Sequence, residues 1–188
     1  MDNITMPVDL GKFAGVKDFL TQEELIKYKK TFSKTYKASQ QKSKRTHCYY
    51  CNEPCNSFCN SHTIPAFCLK YIATNGKLFH MNTMVDIPFL KKDKGVNEAG
   101  TFHIICRDCD SKIFQDYENE NNYDKKPTTK MLAQIAMKNS LKLISKRELE
   151  DALYDEMTSK LGFPSSIGNF KHMVNVDTIN GIRKITFA

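Results

Sequence analysis

Two cysteine pairs are the residues of this 188-residue chain whose types and spacing suggest chemistry most directly. Both have the spacing C-x-x-C, Cys48 with Cys51 and Cys106 with Cys109. A C-x-x-C turn presents two thiolates to one ion, and four thiolates satisfy tetrahedral zinc without any other ligand. We therefore predict that the two pairs form one structural zinc site.

A rival ligand set lies in the same part of the chain, because Cys51, Cys55, Cys59 and His62 are also close in sequence. We favour the two C-x-x-C pairs, since each has the spacing of a zinc knuckle and two knuckles commonly close one site. The cysteines outside the pairs are then interpreted as small buried hydrophobic residues (Cys55, Cys59 and Cys68). His62, which is not needed as a ligand of this zinc site, is then the candidate functional residue.

The composition favours a globular protein that stays in the cytoplasm. Hydrophobic residues make up 40% of the chain, which argues against disorder. No apolar run is long enough to span a membrane, and the first residues lack the basic start and apolar core of a signal peptide. In a cytoplasmic chain, seven cysteines indicate metal ligands and free thiols more than disulfides.

Positive charge is concentrated in one segment near the N-terminus. The net charge is +7, and residues 27–45 contain eight basic residues and no acidic one. Such a run suits a polyanion, so we predict that it binds nucleic acid, with DNA the expected partner and RNA the alternative. The candidate contact residues are Lys27, Lys30, Lys34, Lys37, Lys42, Lys44 and Arg45.

A helix must present these basic residues. Thr21 and Glu24 form the capping box S/T-x-x-E, which predicts a helix from about Gln22. Apolar residues at three- and four-residue steps predict its packed face (Leu25, Tyr28, Phe32 and Tyr36). We interpret residues 1–45 as a basic N-terminal helical extension.

The cysteine pairs belong to a central unit at residues 46–126. Its pattern predicts a short helix at 67–72, strands at 77–81 and 101–106, a basic loop at 91–95, and a helix that starts at Asp110. The second strand delivers the second cysteine pair. The fold class predicted from these elements is α+β.

Residues 127–188 are predicted to form a helical extension. One helix begins near Thr128, and the capping box of Ser145 and Glu148 predicts a second helix that ends before Gly162. The apolar faces of these helices, at 128–161, predict an interface with a second copy of the chain or with a partner protein. Asn180-Gly181 between β-rich segments predicts a terminal β-hairpin.

The order of the central motifs resembles the HNH endonuclease family. The first C-x-x-C is followed by Ser61-His62-Thr63-Ile64-Pro65, and the second C-x-x-C runs into Asp110 at the head of a helix. The resemblance covers about residues 46–120 and is to the branch with an S-H-x-I-P motif and two zinc knuckles. It implies a ββα-metal core, in which two strands and a helix surround one divalent cation.

The resemblance also implies residue roles. His62 would be the general base that activates water, and a divalent cation such as Mg²⁺ would hold the scissile phosphate. Asp110 is implied as a ligand of that cation, and Glu118 as a weaker candidate. The chain departs from the family at Ser61, where many members have an acidic ligand, and near Thr101, where the family has an asparagine.

Two functions therefore remain open at the level of sequence. The first is a metal-dependent endonuclease that hydrolyses phosphodiester bonds, with DNA the expected substrate and RNA the alternative. It is favoured by His62 and by the acidic residues of the helix that starts at Asp110. The second is a non-catalytic zinc module that binds nucleic acid or protein, and is favoured by Ser61 and the missing asparagine.

Overall fold

The computed structural model describes residues 21–79, 93–161 and 165–186, which form a mixed α+β fold that is mostly helical. The elements in chain order are α1 (Gln22–Lys42), β1 (Ser61–His62), α2 (Ala66–Ile72), β2 (Lys77–Phe79), β3 (Asp93–Gly95), β4 (Thr101–Phe102), α3 (Arg107–Ile113), α4 (Gln115–Glu118), a 3₁₀ turn (Glu120–Asn122), α5 (Thr129–Leu161) and α6 (Ser165–Thr186). No helix within these ranges is both long enough and apolar enough to cross a membrane.

Two small antiparallel sheets lie in the central unit. β1 pairs with β4, so that Ser61 faces Phe102 and His62 faces Thr101, and β2 pairs with β3. Successive side chains of a strand point to opposite faces. Ser61 and Phe102 point inward and are each 1% exposed. His62 and Thr101 consequently lie on the outer face of the β1–β4 pair.

The core joins the cysteine pairs to the long helix α5. Its buried members come from both knuckles, from the segment after β4 and from α5: Cys48, Phe102, Ile104, Ile105, Cys109, Phe114, Leu141 and Ile144. Helix α5 also packs against α1 and α6. The apolar face predicted to bind a second copy or a partner is thus covered in part by helices of the same chain.

Helix α1 begins as predicted. The Thr21 hydroxyl accepts a hydrogen bond from the Glu24 amide, and the Glu24 carboxylate accepts one from the Thr21 amide, which completes the capping box. Its most buried residues are Thr35 and Ser39, at 2% and 0% exposure. Phe32 and Tyr36 of the predicted apolar face are half-buried. The side chains of Leu25 and Tyr28 lie outside the described residues.

The predicted helix break at Ser145 is wrong. Helix α5 runs without interruption from Thr129 to Leu161, and the carboxylate of Glu148 forms an ion pair with Arg45. The helix starts where the sequence indicates, because the Thr128 hydroxyl accepts a hydrogen bond from the Met131 amide.

The predicted terminal β-hairpin is also wrong, because α6 runs from Ser165 to Thr186 and contains Asn180-Gly181. Packing against neighbouring elements favours the helix. Asn175 is 2% exposed and donates a hydrogen bond to the backbone carbonyl of Arg147 on α5. Ile182 packs against the core.

The central elements are shorter than predicted. The first predicted strand is seen at Lys77–Phe79 and pairs with a strand at Asp93–Gly95, where a loop was expected. His80 and Met81 of that prediction lie outside the described residues. The strand expected at 101–106 is confined to Thr101–Phe102, and the helix expected from Asp110 begins at Arg107. The predicted helix near residues 67–72 is confirmed as α2.

Candidate metal centre and the His62 site

The first cysteine pair is held in a tight turn. The Cys48 amide donates to the Glu53 carbonyl at 2.9 Å, and the Asn52 amide donates to the Cys48 carbonyl at the same distance. Asn52 has φ +60°, a left-handed conformation that asparagine tolerates better than most residues. The turn therefore places Cys51 back beside Cys48.

The second cysteine pair sits at the start of α3. Cys106 is the N-cap, and its sulfur accepts the Cys109 amide at 3.5 Å. The Tyr49 amide donates to the Ile104 carbonyl at 2.8 Å, and the Cys106 amide donates to the Cys48 sulfur at 3.2 Å. These bonds join the two turns.

The four sulfurs of Cys48, Cys51, Cys106 and Cys109 all lie within 4.8 Å of one another. The Cys51 and Cys106 sulfurs are 4.0 Å apart, and a tetrahedral zinc site with bonds of about 2.3 Å needs sulfurs about 3.8 Å apart. The predicted grouping of the four cysteines is confirmed, and it could hold a metal such as zinc. Among the described residues no other such group of His, Cys, Asp or Glu is found.

The rival ligand set does not assemble. The Cys55 thiol donates to the Ser57 carbonyl at 3.1 Å, and the Cys59 thiol donates to the Asp110 carboxylate at 3.3 Å. Burial and the Asp110 carboxylate raise the pKa of Cys59 to about 11, so this sulfur is a protonated donor. A thiol must lose its proton to bind zinc.

The electrostatics of Cys48 suit a metal ligand. Burial acts to raise the pKa of this thiol, but amide groups of Cys106, Cys51 and Tyr50 outweigh it and lower the pKa to about 7. At neutral pH much of this residue is therefore thiolate. Burial and the neighbouring cysteines raise the pKa of Cys109, as expected for thiols crowded together without the positive charge of a metal.

Asp110 is buried beneath β1, at 6% exposure. The Ser61 hydroxyl donates to its Oδ1 at 2.5 Å, and the Cys59 thiol donates to its Oδ2. Ser61 is thus a hydrogen-bond donor to the carboxylate of α3.

Lys138 of α5 completes this network, and the sequence analysis missed it. Its fully buried ammonium lies 3.4 Å from Asp110 Oδ1 and 3.1 Å from the Ser61 hydroxyl, and it forms an ion pair with Glu118. It also lies 4.5 Å from the ring centroid of Phe114. One signal was available, because Lys138 falls at helical spacing in a buried stripe of α5 that includes Met131, Gln134 and Leu141.

The structure therefore brings Asp110 and Glu118 together, as the resemblance implies, but the group that both carboxylates contact is the ammonium of Lys138. Both oxygens of Asp110 already accept hydrogen bonds, and Lys138 contacts both carboxylates. The two carboxylates and the one lysine together keep a net charge of only −1, and the Lys138 ammonium is already bound to both carboxylates. This arrangement does not fit a cation bound jointly by Asp110 and Glu118.

His62 lies on the other side of the strand. Its Nε2 donates to the Val96 carbonyl at 3.0 Å, and its outward direction separates it from the inward-pointing Ser61. Near it, the Lys142 ammonium donates to the Thr101 carbonyl at 2.5 Å. Burial, followed by Lys142 and His62, lowers the pKa of His103, so these basic groups share one surface.

The predicted nucleic-acid contacts divide into two groups. Lys42 forms a 2.7 Å ion pair with Asp155 on α5. Arg45 pairs with Glu148 and stacks over the Tyr49 ring at 4.5 Å. The other five are exposed and form no ion pair with a described residue: Lys27, Lys30, Lys34, Lys37 and Lys44.

Comparisons with known proteins identify no relative. No family model matches the chain, and no curated protein or solved structure matches it either.

Proposed function

We propose that the protein is a module stabilised by zinc that binds nucleic acid through the exposed face of α1, with DNA the expected partner and RNA the alternative. The observation that carries the proposal is the sorting of basic residues on this helix. At 100° per residue, Lys27, Lys30, Lys34 and Lys37 fall on one side of α1, roughly opposite the buried Thr35 and Ser39. We call these four residues, together with the exposed Lys44 that follows the helix, the basic face.

Ion pairs at the end of α1 support this role. Lys42 binds Asp155, and Arg45 binds Glu148; both acidic residues lie on α5. Arg45 also stacks on Tyr49, which follows the first zinc-site cysteine, Cys48. The turn of the first cysteine pair and α5 therefore hold α1 in place, so that its lysines form a row with a fixed position.

A row of lysines on one helix face matches the repeated charge of a phosphate backbone. Each lysine that neutralises a phosphate releases counterions, and this makes the affinity strongly dependent on salt. Because lysine contacts to phosphate carry no sequence information, we expect binding with little sequence preference.

Salt-dependent binding to duplex DNA tests the proposal. Replacing Lys30, Lys34 and Lys37 with Gln should weaken binding and reduce the slope of log affinity against log salt by about 3. The matched control removes three exposed lysines elsewhere, in the variant Lys70→Gln, Lys112→Gln, Lys125→Gln. Equal affinities of the two triple variants would refute the role of α1, and the same titration with RNA decides between the two partners.

A second candidate is the metal-dependent endonuclease that the resemblance implies, with His62 as general base. One observation favours it, namely that β1 with His62 pairs with the antiparallel β4 and that β4 is followed by the helix α3, although α2, β2 and β3 lie between β1 and β4 in the chain. The ion pairs of Lys138 with Asp110 and Glu118 are the reason it ranks second.

Cleavage of supercoiled plasmid tests the second candidate. Purified, zinc-loaded protein is incubated with Mg²⁺, Mn²⁺ or EDTA, beside the variant His62→Ala. Nicking that requires both a divalent cation and His62 would establish the endonuclease. Intact plasmid in every lane, from protein that binds DNA, would support the binding module alone.

A further inference from the structure

The outer face of the β1–β4 pair carries two histidines. His62 is paired with Thr101, so their side chains share a face. His103 directly follows β4, and its pKa is lowered by partial burial and then by Lys142 and His62, so it lies near both residues. The His62 ring is fixed by the bond from its Nε2 to the Val96 carbonyl.

Two lysines flank this face. Lys142 lies one turn of α5 beyond Lys138, and its half-buried ammonium is anchored on the Thr101 carbonyl. Lys94 belongs to β3 and is also half-buried. Burial, followed by repulsion from Lys94 and Lys146, lowers the pKa of Lys142. Lys94 and Lys142 are therefore close enough for their charges to repel each other.

No acidic side chain compensates these groups within the described part of the chain. The ion pairs found there include neither Lys94, Lys142 nor His103. Glu98, the acidic residue of the adjoining loop, makes none with them. Lys146 differs, because it lies 3.6 Å from Glu150. Two half-buried lysines without counter-charges are destabilising on their own and attract an anion.

We infer that His62, His103, Lys94 and Lys142 form an anion-binding site that takes one phosphodiester group of a bound nucleic acid. The assignment of the ligand to nucleic acid rests on the proposed function. The site is separate from the basic face of α1, since its residues lie on β1, β3, α5 and the segment after β4.

The chemistry of the four residues fits a phosphodiester. Its two unshared oxygens accept hydrogen bonds from ammonium and imidazole donors, and charge-assisted bonds of this kind are the stronger ones. The Lys142 ammonium uses one N–H in the hydrogen bond to the Thr101 carbonyl and has two further N–H groups that can donate. The half-buried position strengthens the attraction compared with an exposed lysine.

Histidine NMR provides the test, with inorganic phosphate as the probe at constant ionic strength. We expect saturable shifts of the ring signals of His62 and His103, while those of His47 and His172 stay unchanged. The apparent affinity for phosphate should fall about tenfold in Lys142→Met and in Lys94→Met, and should be retained in Lys142→Arg and in the control Lys125→Met. Circular dichroism checks that each variant is folded.

Shifts that do not saturate, or an affinity that is the same in Lys142→Met, Lys94→Met and Lys125→Met, would overturn the inference. The DNA titration separates this failure from that of the proposed function. Normal DNA binding by both Lys→Met variants would reject the site and leave the α1 proposal standing. A saturable phosphate response without any DNA binding would support the site and reject nucleic acid as its ligand.

Discussion

The ammonium of Lys138 lies 3.4 Å from the carboxylate of Asp110, and their side chains are 0% and 9% exposed. The pair joins α5 to α3 at the point where Ser61 of β1 donates to the same carboxylate. Three elements of the fold therefore meet at one buried charge pair. Glu118 adds a second carboxylate that is partly exposed to solvent.

The variant Lys138→Met should lower the free energy of unfolding by about 3 kcal/mol or more, because it leaves Asp110 buried without its counter-charge. Urea denaturation measures the loss. The matched control is Lys130→Met, which removes an exposed lysine 2.7 Å from Asp116 and should cost less than about 1 kcal/mol. Equal losses in the free energy of unfolding of the two variants would show that the buried pair stabilises the fold no more than the exposed pair does.

Replacing one cysteine of the metal centre should abolish metal binding. In Cys48→Ser and Cys109→Ser we expect zinc to fall from one equivalent to none and the unfolding temperature to drop, since a metal bound by all four sulfurs would hold the two turns together. Elemental analysis of purified protein measures the zinc. Cys68→Ser is the control, because Cys68 lies outside the four-sulfur group. Full zinc retention in Cys48→Ser would contradict the assignment.

Signals confined to a few residues were read correctly from the sequence. The two C-x-x-C spacings indicated the four-cysteine group, which the structure assembles. The capping box of Thr21 and Glu24 placed the start of α1. In both cases neighbours in sequence supply the geometry, so the pattern and the structure describe the same contacts.

Signals that compete with tertiary packing misled the sequence analysis. Glu148 has the spacing of a capping box but pairs with Arg45, which lies 103 residues away. Asn180-Gly181 has the composition of a hairpin turn, yet Asn175 and Ile182 pack that segment as a helix. Burial of a flanking helix face outweighs the weak preference of two residues.

The partners of Lys138 could not be predicted from the sequence, although its helical spacing indicated a buried position. Its partners Ser61, Asp110 and Glu118 are 77, 28 and 20 residues away. A lysine on a predicted helix is ordinarily assigned to solvent. Only the three-dimensional arrangement shows that the carboxylates assigned to a metal already have a cation.

Stability should depend on pH through His103, whose pKa is lowered by burial, then by Lys142 and His62. The folded state binds this proton less readily than the unfolded state. Stability is therefore unaffected well above the unfolded pKa of about 6.5 and declines as the pH falls through that value, until the lower folded pKa is passed. In Lys142→Met the pKa of His103 should rise and the decline should shrink. NMR titration measures the pKa, and an unchanged value in the variant would contradict the coupling.

Two glycine substitutions distinguish the helix α6 from the hairpin that the sequence suggested. Gly181 lies inside α6, and a Cβ added there meets nothing within 4 Å, so Gly181→Ala should raise stability by about 0.5–1 kcal/mol. Gly100 has φ +67°, and its added Cβ would lie 3.0 Å from the Thr63 hydroxyl, so Gly100→Ala should lower stability. Thermal unfolding measures both. A turn at Asn180-Gly181 would need a left-handed Gly181, and Gly181→Ala would then be destabilising as well; a rise for Gly181→Ala beside a fall for Gly100→Ala therefore supports the helix.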